Sequence, residues 1–116
     1  MEIDIHGYKI KNIKKVSPLG KFTGLMFRKR ENADALLFDF PNPVRLRIHS
    51  FFVFFPFLAV WLDDRNRIIE KKIIQPFNFS VRPKKQFNRL IEIPFNKKYK
   101  LMLGLLVGDT KGLNTF

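Results

Sequence analysis

The sequence predicts a mostly β domain, α+β by strict count, built as a small barrel-like mixed sheet with one or two short helices. Three observations predict this fold class. The chain has 116 residues, which is the length of one domain, so a single unit is predicted over residues 1–116. Its apolar segments are rich in Phe, Ile and Val, which favour strands. Turn signals recur between these short segments, a spacing typical of barrels and sandwiches.

The longest apolar run is Ile48–Leu62, which holds five of the fourteen phenylalanines, the single tryptophan and no charge. It is too short, and too interrupted by Pro56, to be a membrane-spanning helix, which takes about 20 apolar residues. Because proline is poorly tolerated inside a sheet, we predict two strands, Val44–Phe54 and Phe57–Asp63. The run is continuous rather than alternating, so both strands are expected to be buried on two faces.

Three elements are predicted before this run. Loose alternation of apolar residues over Met1–Val16 predicts a hairpin of two edge strands around His6-Gly7. A short helix is predicted over Thr23–Arg30, because its first residue suits an N-cap and its basic end suits a helix C-terminus. Ala35–Phe40 is predicted to form a strand that the following Pro-Asn-Pro segment ends, since proline cannot donate to a strand ladder.

Short elements also fill the rest of the chain. Asp63–Asn66 predicts a tight turn, with two Asx residues around a position that tolerates a positive φ. A strand is predicted at Asn88–Pro94. The apolar segment Tyr99–Val107 suits a short helix or a strand, and a helix is expected near Lys97–Leu103. Gly108-Asp109-Thr110 predicts a turn before a last short strand.

A sizeable core is expected, because 46% of the residues are hydrophobic and 15% are aromatic. A domain of this size buries roughly two thirds of its unfolded surface. The predicted core residues are Phe27, Leu37, Phe38, Phe52, Phe54, Leu58, Val60, Leu62 and Leu106.

The composition excludes several kinds of site. The chain has no cysteine, so it forms no disulfide and offers no thiol nucleophile or thiolate ligand. Its two histidines, His6 and His49, cannot form a zinc site without carboxylate ligands, and we predict neither a metal nor a cofactor. The first residues are partly acidic and lack an apolar segment, which is not the pattern of a secretory signal. We therefore expect a soluble, cytoplasmic protein without a membrane span.

The chain is strongly basic, with a formal net charge of +12 from 22 basic and 10 acidic residues. Such a charge promotes association with polyanions through an attraction that is independent of sequence and sensitive to salt. The alternative is compositional, since an AT-rich genome enriches Lys, Ile, Asn and Phe together. Nucleic acid or another polyanion is therefore a candidate partner.

The basic segment Arg82–Lys100 is the best candidate for a binding surface. It contains seven cations against Glu92 alone, interleaved with three aromatic residues. Exposed aromatic rings between lysines stack on unpaired bases in proteins that bind single strands. Alternatively, the rings point inward and the lysines only solvate the strand ends. The candidate nucleic-acid-binding residues are Arg82, Lys84, Lys85, Arg89, Lys97, Lys98, Tyr99 and Lys100.

Several short motifs follow one another in a set order over about residues 20–112. They are Gly24-Leu25-Met26-Phe27-Arg28, Leu37-Phe38-Asp39-Phe40, His49-Ser50-Phe51-Phe52, Pro56, Leu62-Asp63, Leu90-Ile91-Glu92-Ile93-Pro94 and Gly104-Leu105-Leu106-Val107-Gly108-Asp109. In order and spacing together they resemble the family called domain of unknown function 192. The His-Ser-Phe-Phe form is similar to the archaeal branch. The resemblance implies a small mostly β fold and no established activity.

Three positions depart from the pattern of that family. Members usually carry an Asp two residues after the proline, where this chain has Leu58. Asn96 and Asn66 stand where Gly is common, and Asn visits the left-handed region more readily than most residues. A catalytic role for the family's Asp would be lost here. A buried structural carboxylate, by contrast, can be exchanged for a well-packed hydrophobic residue.

Candidate catalytic residues are few and scattered. His49 is a candidate general base, or a histidine that caps the core. Arg28 is a candidate to bind an anionic ligand or to pair with Glu92, and an ion pair that holds the fold is the simpler role. The chain has no Gly-rich phosphate loop, no paired carboxylates and no Gly-x-Ser-x-Gly elbow.

These observations predict a non-enzymatic binding or interaction module with an unknown partner. One alternative is binding of RNA or single-stranded nucleic acid through the segment Arg82–Lys100. The other alternative is an enzyme whose pocket uses His49, Arg28 and Glu92, which requires those three side chains to converge.

Overall fold

A computed structural model describes residues 2–5, 8–16, 25, 28–47, 53–77 and 81–107 of the chain. Within these ranges the chain is mostly β with one short α-helix, as the sequence predicts. The strands are β1 (Ile3–Ile5), β2 (Tyr8–Ile10), β3 (Ile13–Val16), β4 (Ala35–Val44), β5 (Phe57–Leu62), β6 (Ile68–Ile74) and β7 (Phe87–Pro94). Two short 3-10 turns, Arg30–Asn32 and Lys97–Tyr99, accompany the helix α1 (Lys100–Val107).

Five of the strands form one mixed sheet in the order β3-β4-β7-β5-β6. β3 runs parallel to β4, and the other neighbours are antiparallel. β1 and β2 form the antiparallel hairpin predicted around His6-Gly7. The five-stranded sheet ends at β3 and β6, which do not pair with each other in the described part of the chain. The sheet is therefore open, and the expected barrel is only a loose description of it.

The two ends of this sheet are distinguished by the elements that meet there. At one end β5 begins and both of its neighbours end, because Phe57 pairs with Ile74 of β6 and with Pro94 of β7. Just beyond these strands, the Phe95 N–H donates to the Pro56 carbonyl oxygen at 3.1 Å. We call this the Asn96 end. The opposite end holds the turn between β5 and β6 and is called the Asp63 end.

The predicted Asp63–Asn66 turn is confirmed. One carboxylate oxygen of Asp63 accepts the backbone N–H groups of Arg65 at 2.8 Å and of Arg67 at 2.9 Å. Asn66 has φ 61°, the left-handed conformation that Asn tolerates better than most residues. Together these features let the chain reverse between β5 and β6.

Both faces of the sheet are covered by apolar groups. All six residues of β5 are buried, and since successive side chains point to opposite faces, the strand contributes to two clusters. One cluster contains Leu58 and Val60 with the helix residue Leu103, and the other contains Trp61 with Phe87. A continuous apolar run therefore does indicate burial on two faces.

The predicted core is correct in most of its described positions and wrong in one. Leu37, Leu58, Val60, Leu62 and Leu106 are buried, and Phe38 is half-buried. Phe54 is 62% exposed, because it precedes β5 outside any strand while its neighbour Phe55 turns inward. Phe27 and Phe52 lie outside the described residues.

Strand β4 does not end at the prolines, contrary to the sequence prediction. It continues from Ala35 to Val44 through Pro41 and Pro43. Asp39 pairs with Arg89, and Val44 pairs with Phe87. Between these two pairs β4 advances by five residues and β7 by only two, so β4 bulges. Such a bulge leaves residues without ladder bonds, and the prolines lie in it, where their missing N–H costs nothing.

Two further predictions need correction. Val44 is the last residue of β4, and neither residues 45–47 nor Val53 and Phe54 form a strand. Apart from Val44, therefore, no described residue of the predicted strand Val44–Phe54 is in a strand. The predicted strand Phe57–Asp63 is confirmed as β5. The helix predicted over Thr23–Arg30 lies largely outside the described residues, but Lys29 is extended, with φ −80° and ψ 138°. The predicted helix therefore does not continue through Lys29, and Arg30 begins the separate 3-10 turn Arg30–Asn32.

The C-terminal part agrees better with the sequence. Of the two alternatives for Tyr99–Val107, the helix is correct, and it is preceded by the 3-10 turn Lys97–Tyr99. The predicted strand Asn88–Pro94 is confirmed as β7. The turn and strand predicted after Val107 lie outside the described residues. No helix within the described ranges is long and apolar enough to cross a membrane.

Candidate binding site

The three candidate catalytic residues do not form a described site. Glu92 lies in the middle of β7 between Leu36 of β4 and Ala59 of β5, and it is 7% exposed. Arg28 is exposed and lines a small cavity of about 30 Å³ beside Asp34. No hydrogen bond or ion pair joins Arg28 to Glu92 in the described part of the chain. His49 lies outside the described residues.

Burial alone governs the charge of Glu92. It raises the pKa of Glu92 from its usual 4.5 to about 8, since a low-dielectric surrounding disfavours the carboxylate form. Among the described residues no cation approaches it to offset this effect. Glu92 is therefore mostly protonated at neutral pH.

The described residues offer no clustered metal ligands. No group of three or more His, Asp or Glu side chains converges in these ranges. The side chains that do converge are suited to binding through cations and hydrogen bonds.

The basic segment Arg82–Lys100 is divided between the two ends of the sheet. Arg82, Lys84 and Lys85 precede β7, whereas the remaining lysines follow it. Eight residues of strand rise by about 25 Å, so the two groups do not form one continuous patch. Arg89, in the strand itself, bonds to Asp39 at 3.3 Å and to the side chain of Asn66 at 2.7 Å.

The aromatic rings of this segment point inward. Phe87, Phe95 and Tyr99 are 1%, 4% and 3% exposed. The Tyr99 hydroxyl accepts the Ala35 N–H and donates to the Asn12 carbonyl, both at 2.7 Å, and burial raises the pKa of Tyr99. Base stacking needs an exposed ring. The Tyr99 ring has no accessible face, so it cannot stack on a base in this structure.

A pocket of about 270 Å³ lies at the Asn96 end, between the Arg30–Asn32 turn and the residues that follow β7. We call it the Asn96 pocket. It is lined by Arg30, Glu31, Asn96, Lys97 and Lys98. Its charged residues are three cations and one carboxylate, and their aliphatic stems form much of its surface.

Asn96 joins the two walls of this pocket. Its amide nitrogen donates to the carbonyl oxygens of Arg30 at 2.8 Å and Ala33 at 2.9 Å. Arg30 returns a bond, since its Nε donates to the Phe95 carbonyl at 2.5 Å. These contacts connect residues more than 60 positions apart, so the pocket is a product of the tertiary fold.

The Asn96 backbone explains how the side chain reaches that far. Asn96 is extended, with φ −138° and ψ 176°, and it does not cap the helical segment with its side chain. The left-handed conformation that suits a Gly position is present at Asn66 but absent at Asn96. The side chain is thus free to bind the opposite loop, and its Oδ1 is buried without a hydrogen-bond partner in the described structure.

The two lysines of the pocket differ in their partners. Lys98 Nζ donates to Asp34 at 2.8 Å and to the Asn32 carbonyl at 3.4 Å. The hydrogen bond to Asp34 raises the pKa of Lys98. Lys97 is exposed, and its side chain makes no hydrogen bond or ion pair with a described residue. Lys97 is therefore the cation that a ligand meets first.

An exposed aromatic pair also lies at the Asn96 end. Phe54 precedes β5 and Phe77 follows β6, and their rings meet edge to face with centroids 5.3 Å apart. Their exposures are 62% and 46%. Phe77 has φ 59°, which is rare for a bulky residue. These two rings are exposed, whereas the ring of Tyr99 is buried.

Sequence reasoning missed Arg30 and Asn96 as site residues. Local patterns assign Arg30 to the basic end of a helix and Asn96 to a position where Gly is common. The signal in the sequence is the pair of basic clusters around positions 28–30 and 97–100. Their meeting depends on the pairing of β4 with β7, which no local pattern encodes.

The comparisons with known proteins agree with the resemblance in the motifs. The profile of the family domain of unknown function 192 (DUF192), described as Uncharacterized ACR, matches residues 4–110. The chain belongs to this family. No curated protein matches this DUF192 chain.

Two solved structures share the fold of this DUF192 protein. A putative transcription regulator from Sinorhizobium meliloti 1021 has a TM-score of 0.65 at 15% identity, covering 80% of this chain and 76% of that one. A protein of unknown function from Novosphingobium aromaticivorans DSM 12444 has a TM-score of 0.65 at 12% identity, covering 90% of this chain and 76% of that one. At such identities the likeness concerns the fold alone.

Proposed function

We propose that this DUF192 protein is a non-enzymatic binding module for an anionic partner and that the Asn96 pocket is its contact site. One observation carries the proposal. The fold brings Arg30 from one loop beside Lys97 and Lys98 from another, around a pocket of about 270 Å³. Lys98 is already paired with Asp34, so it is Lys97, whose side chain has no described partner, that favours an anionic occupant.

The whole-chain charge supports this proposal. The net charge of +12 attracts polyanions from a distance. The pocket provides a specific binding site for the anion that this attraction brings near. The position of Glu92 supports a non-enzymatic role, because a carboxylate enclosed by two neighbouring strands has no described access to a substrate. The enzyme alternative with His49 and Arg28 has no further support in the described residues.

The test compares two double variants with the same change in charge. Binding of a fluorescent single-stranded oligonucleotide, used as a polyanion probe, is measured by anisotropy over a range of salt. We expect Lys97→Ala/Lys98→Ala to weaken binding and to flatten the plot of log K against log salt by about 0.7 for each phosphate that the protein no longer neutralises. Lys84→Ala/Lys85→Ala, at the Asp63 end, is the matched control and should have the smaller effect.

Two results would contradict the proposal. Equal weakening by the two double variants would show that the attraction is spread over the surface. Binding that disappears altogether at physiological salt would show a basic protein without a dedicated site. Circular dichroism of each variant checks that the fold is retained.

Single-stranded nucleic acid is a second candidate partner, favoured by the exposed pair Phe54 and Phe77. Rings next to cations provide the stacking surface that single-strand binders use, and this pair lies at the same end of the sheet as the Asn96 pocket. We expect Phe54→Ala to weaken oligonucleotide binding without changing its salt slope, because stacking releases no counterions. Binding of inorganic polyphosphate, which has no bases, should be unaffected by the same substitution. If Phe54→Ala weakens the binding of the oligonucleotide and of polyphosphate equally, the ring does not stack on bases.

The remaining sequence-based expectations are narrower. We propose that the chain belongs to the archaeal branch of the family, supported by the motif His49-Ser50-Phe51-Phe52. A phylogeny of the family that places the chain among bacterial sequences would overturn this. The cytoplasmic location stays a prediction, which fractionation of the native cells tests.

A further inference from the structure

We infer that the outer side of α1 lies against an anionic lipid surface, with Leu101 and Leu105 in contact with hydrocarbon and the neighbouring lysines in contact with the head groups. The inference rests on the proposed function in one respect, since it names the kind of anionic partner that Lys97 meets. It goes further by adding an apolar contact that the Asn96 pocket does not supply. The exposed side chains of α1 and the cations that precede them support it.

The outer side of α1 is apolar although it is exposed. None of residues 101–107 has a polar side chain, whereas a helix on the surface of a globular protein usually has a polar outer face. Leu103 and Leu106 are buried, but Leu101 and Leu105 are 81% and 46% exposed. Leu101 is the most exposed large apolar side chain in the described part of the chain. The helix therefore presents hydrocarbon to the outside as well as to the core.

The two exposed leucines continue a line of side chains that begins with a cation. Residues four apart on a helix lie one above the other, with Cβ atoms about 5–6 Å apart. The 3-10 turn Lys97–Tyr99 leads directly into α1, because Lys100 is already helical with φ −54° and ψ −47°. Lys97, Leu101 and Leu105 thus follow one another on the outer side, and we call them the α1 stripe. Lys97 and Lys100 are both exposed.

The core below α1 holds this stripe in place. Tyr99, Leu103 and Leu106 belong to the same apolar cluster as residues of β5, and Lys71 Nζ donates to the Leu106 carbonyl oxygen. A partner therefore meets a helix that is already formed, and little ordering cost is added on binding.

The combination of groups in the α1 stripe favours a lipid surface over other partners. A nucleic acid offers phosphates for the lysines but no hydrocarbon layer for the leucines. The centres of protein interfaces are enriched in aromatic residues and Arg and depleted of Lys, and Leu is under-represented among the residues that dominate binding. An anionic bilayer offers head-group charge and, just below it, hydrocarbon, and helices that lie in this boundary combine leucine with lysine. The net charge of +12 adds attraction to such a surface.

The experiment measures co-sedimentation of the full chain with vesicles. One set is phosphatidylcholine alone, and the other contains equal parts of phosphatidylcholine and phosphatidylglycerol. We expect binding to the mixed vesicles and far weaker binding to the neutral ones. Leu101→Ser should weaken binding to the mixed vesicles at least about tenfold, because hydrocarbon no longer enters the lipid. Lys97→Ala should weaken it about fivefold, as expected for one lysine at an anionic surface.

Leu46→Ser is the matched control. Leu46 is 49% exposed and lies between two arginines, so it is also a leucine beside cations. It follows Val44, which pairs with Phe87 at the start of β7, and so it lies at the Asp63 end. We expect Leu46→Ser to bind the mixed vesicles as the unmodified chain does. Circular dichroism checks that each variant folds.

Leu101→Trp reports where the side chain lies when the protein is bound. The native Trp61 is 0% exposed, so its fluorescence is already that of an apolar site. A tryptophan at position 101 adds an exposed signal, which should shift to shorter wavelength on the mixed vesicles. Leu46→Trp should show no such shift. An unchanged emission of Leu101→Trp on vesicles would overturn the inference even if Leu101→Ser did not fold.

Three other results would also overturn it. Mixed vesicles that bind Leu101→Ser as tightly as the unmodified chain would show attraction by charge alone. Conversion of an oligomer into a monomer by Leu101→Ser, seen by size-exclusion chromatography, would show that a second copy covers the α1 stripe. A loss of stability in urea as large as that for a buried leucine would show that the chain itself covers it.

Failure of this inference is distinguishable from failure of the proposed function. Leu101→Ser should leave oligonucleotide binding unchanged, because a leucine neutralises no phosphate. If oligonucleotide binding depends on Lys97 and Lys98 while vesicle binding does not depend on Leu101, the lipid contact is wrong and the Asn96 pocket stands. If neither the oligonucleotide nor the mixed vesicles bind at physiological salt, both are wrong.

Discussion

At the scale of single residues, Glu92 shows how a sheet can hold an ionisable group in its neutral form. Its neighbours across the sheet are Leu36 and Ala59, which offer neither a charge nor a donor side chain. Desolvation therefore acts without opposition and raises the pKa of Glu92 to about 8. An ordinary exposed Glu would be ionised over most of this range.

The stability of the fold should consequently depend on Glu92 between pH 4.5 and 8. Because the folded-state pKa is raised, the folded chain binds the proton more tightly than the unfolded chain. The stability from this residue is complete below about 4.5 and is lost as the pH rises to about 8. At about 1.4 kcal/mol per unit of pKa shift, the decrease is on the order of a few kcal/mol. Glu92→Gln should remove it, as measured by urea unfolding at several pH values.

Glu70 provides a control of opposite sign. The backbone N–H of Lys84, which donates to Glu70 at 3.0 Å, lowers the pKa of Glu70. Its stabilising effect is present above the unfolded pKa and is lost as the pH falls through the folded pKa. At pH 9 we expect Glu92→Gln to raise the free energy of unfolding and Glu70→Gln to lower it. A decrease with both substitutions would show that Glu92 has a partner.

At the scale of elements, strand β5 explains the departure at Leu58 from the family pattern. Leu58 is 1% exposed and lies directly between Ile73 of β6 and Ile93 of β7. Its two cross-strand neighbours are apolar, in keeping with the exchange of a structural carboxylate for a well-packed hydrophobic residue. Lys71 and Lys72 also line the cavity of about 290 Å³ beside Leu58, but Lys71 Nζ already donates to the Leu106 carbonyl.

We therefore expect Leu58→Asp to destabilise the fold by at least about 3 kcal/mol, because the burial of an unpaired charge adds to the lost packing. The matched control is Ile73→Asp on the adjacent strand. Ile73 is directly opposite Leu58 but 44% exposed, so the same substitution should cost about 1 kcal/mol or less. Chemical denaturation measures both, and similar losses would contradict the assigned burial.

At the scale of the whole molecule, the order of the strands determines which parts open first. β7 is the central strand of five and pairs with both β4 and β5, whereas β1 and β2 form a separate two-stranded unit. The hairpin packs Ile5 and Ile10 into the same apolar cluster as Ile91, but its two strands pair only with each other, whereas the amides of a central strand exchange only in large openings.

Hydrogen exchange should follow this order. We expect the amides of Ile91 and Ile93 to exchange near the rate of global unfolding, and the hairpin amides of β1 and β2 to exchange faster by orders of magnitude. Exchange measured by nuclear magnetic resonance resolves these residues individually. Equal protection of Ile10 and Ile91 would show that the hairpin opens together with the main sheet.

The position of the basic pocket also depends on the fold of the whole molecule. Cations that are close in the chain, as in Arg82–Lys100, are separated by the length of β7. Cations from distant segments, as with Arg30 and Lys97, meet in one pocket. A charge run in the sequence therefore predicts that the protein is basic but not where an anion binds.

The sequence by itself determined the features that depend on neighbouring residues. The burial of β5 follows from a continuous apolar run, and the Asp63–Asn66 turn follows from Asx chemistry. The hairpin predicted over Met1–Val16 is confirmed only for β1 and β2, because β3 pairs with β4 in the main sheet. The same local patterns misled where tertiary pairing overrode them. The prolines of β4 lie in a bulge that only the register with β7 creates, and Phe54 is exposed although it belongs to the most apolar stretch.

Only the tertiary structure decided the site. The Asn96 pocket requires the Asn96 amide to bond with the Arg30 carbonyl, 66 positions earlier in the chain. That bond follows from the antiparallel pairing of β4 with β7. The hydrophobic periodicity of a strand does not specify which other strands it pairs with. Local sequence patterns specify which residues are buried and where the chain turns. The meeting of two loops depends on the packing of the entire sheet, because that packing alone sets which strand ends lie side by side.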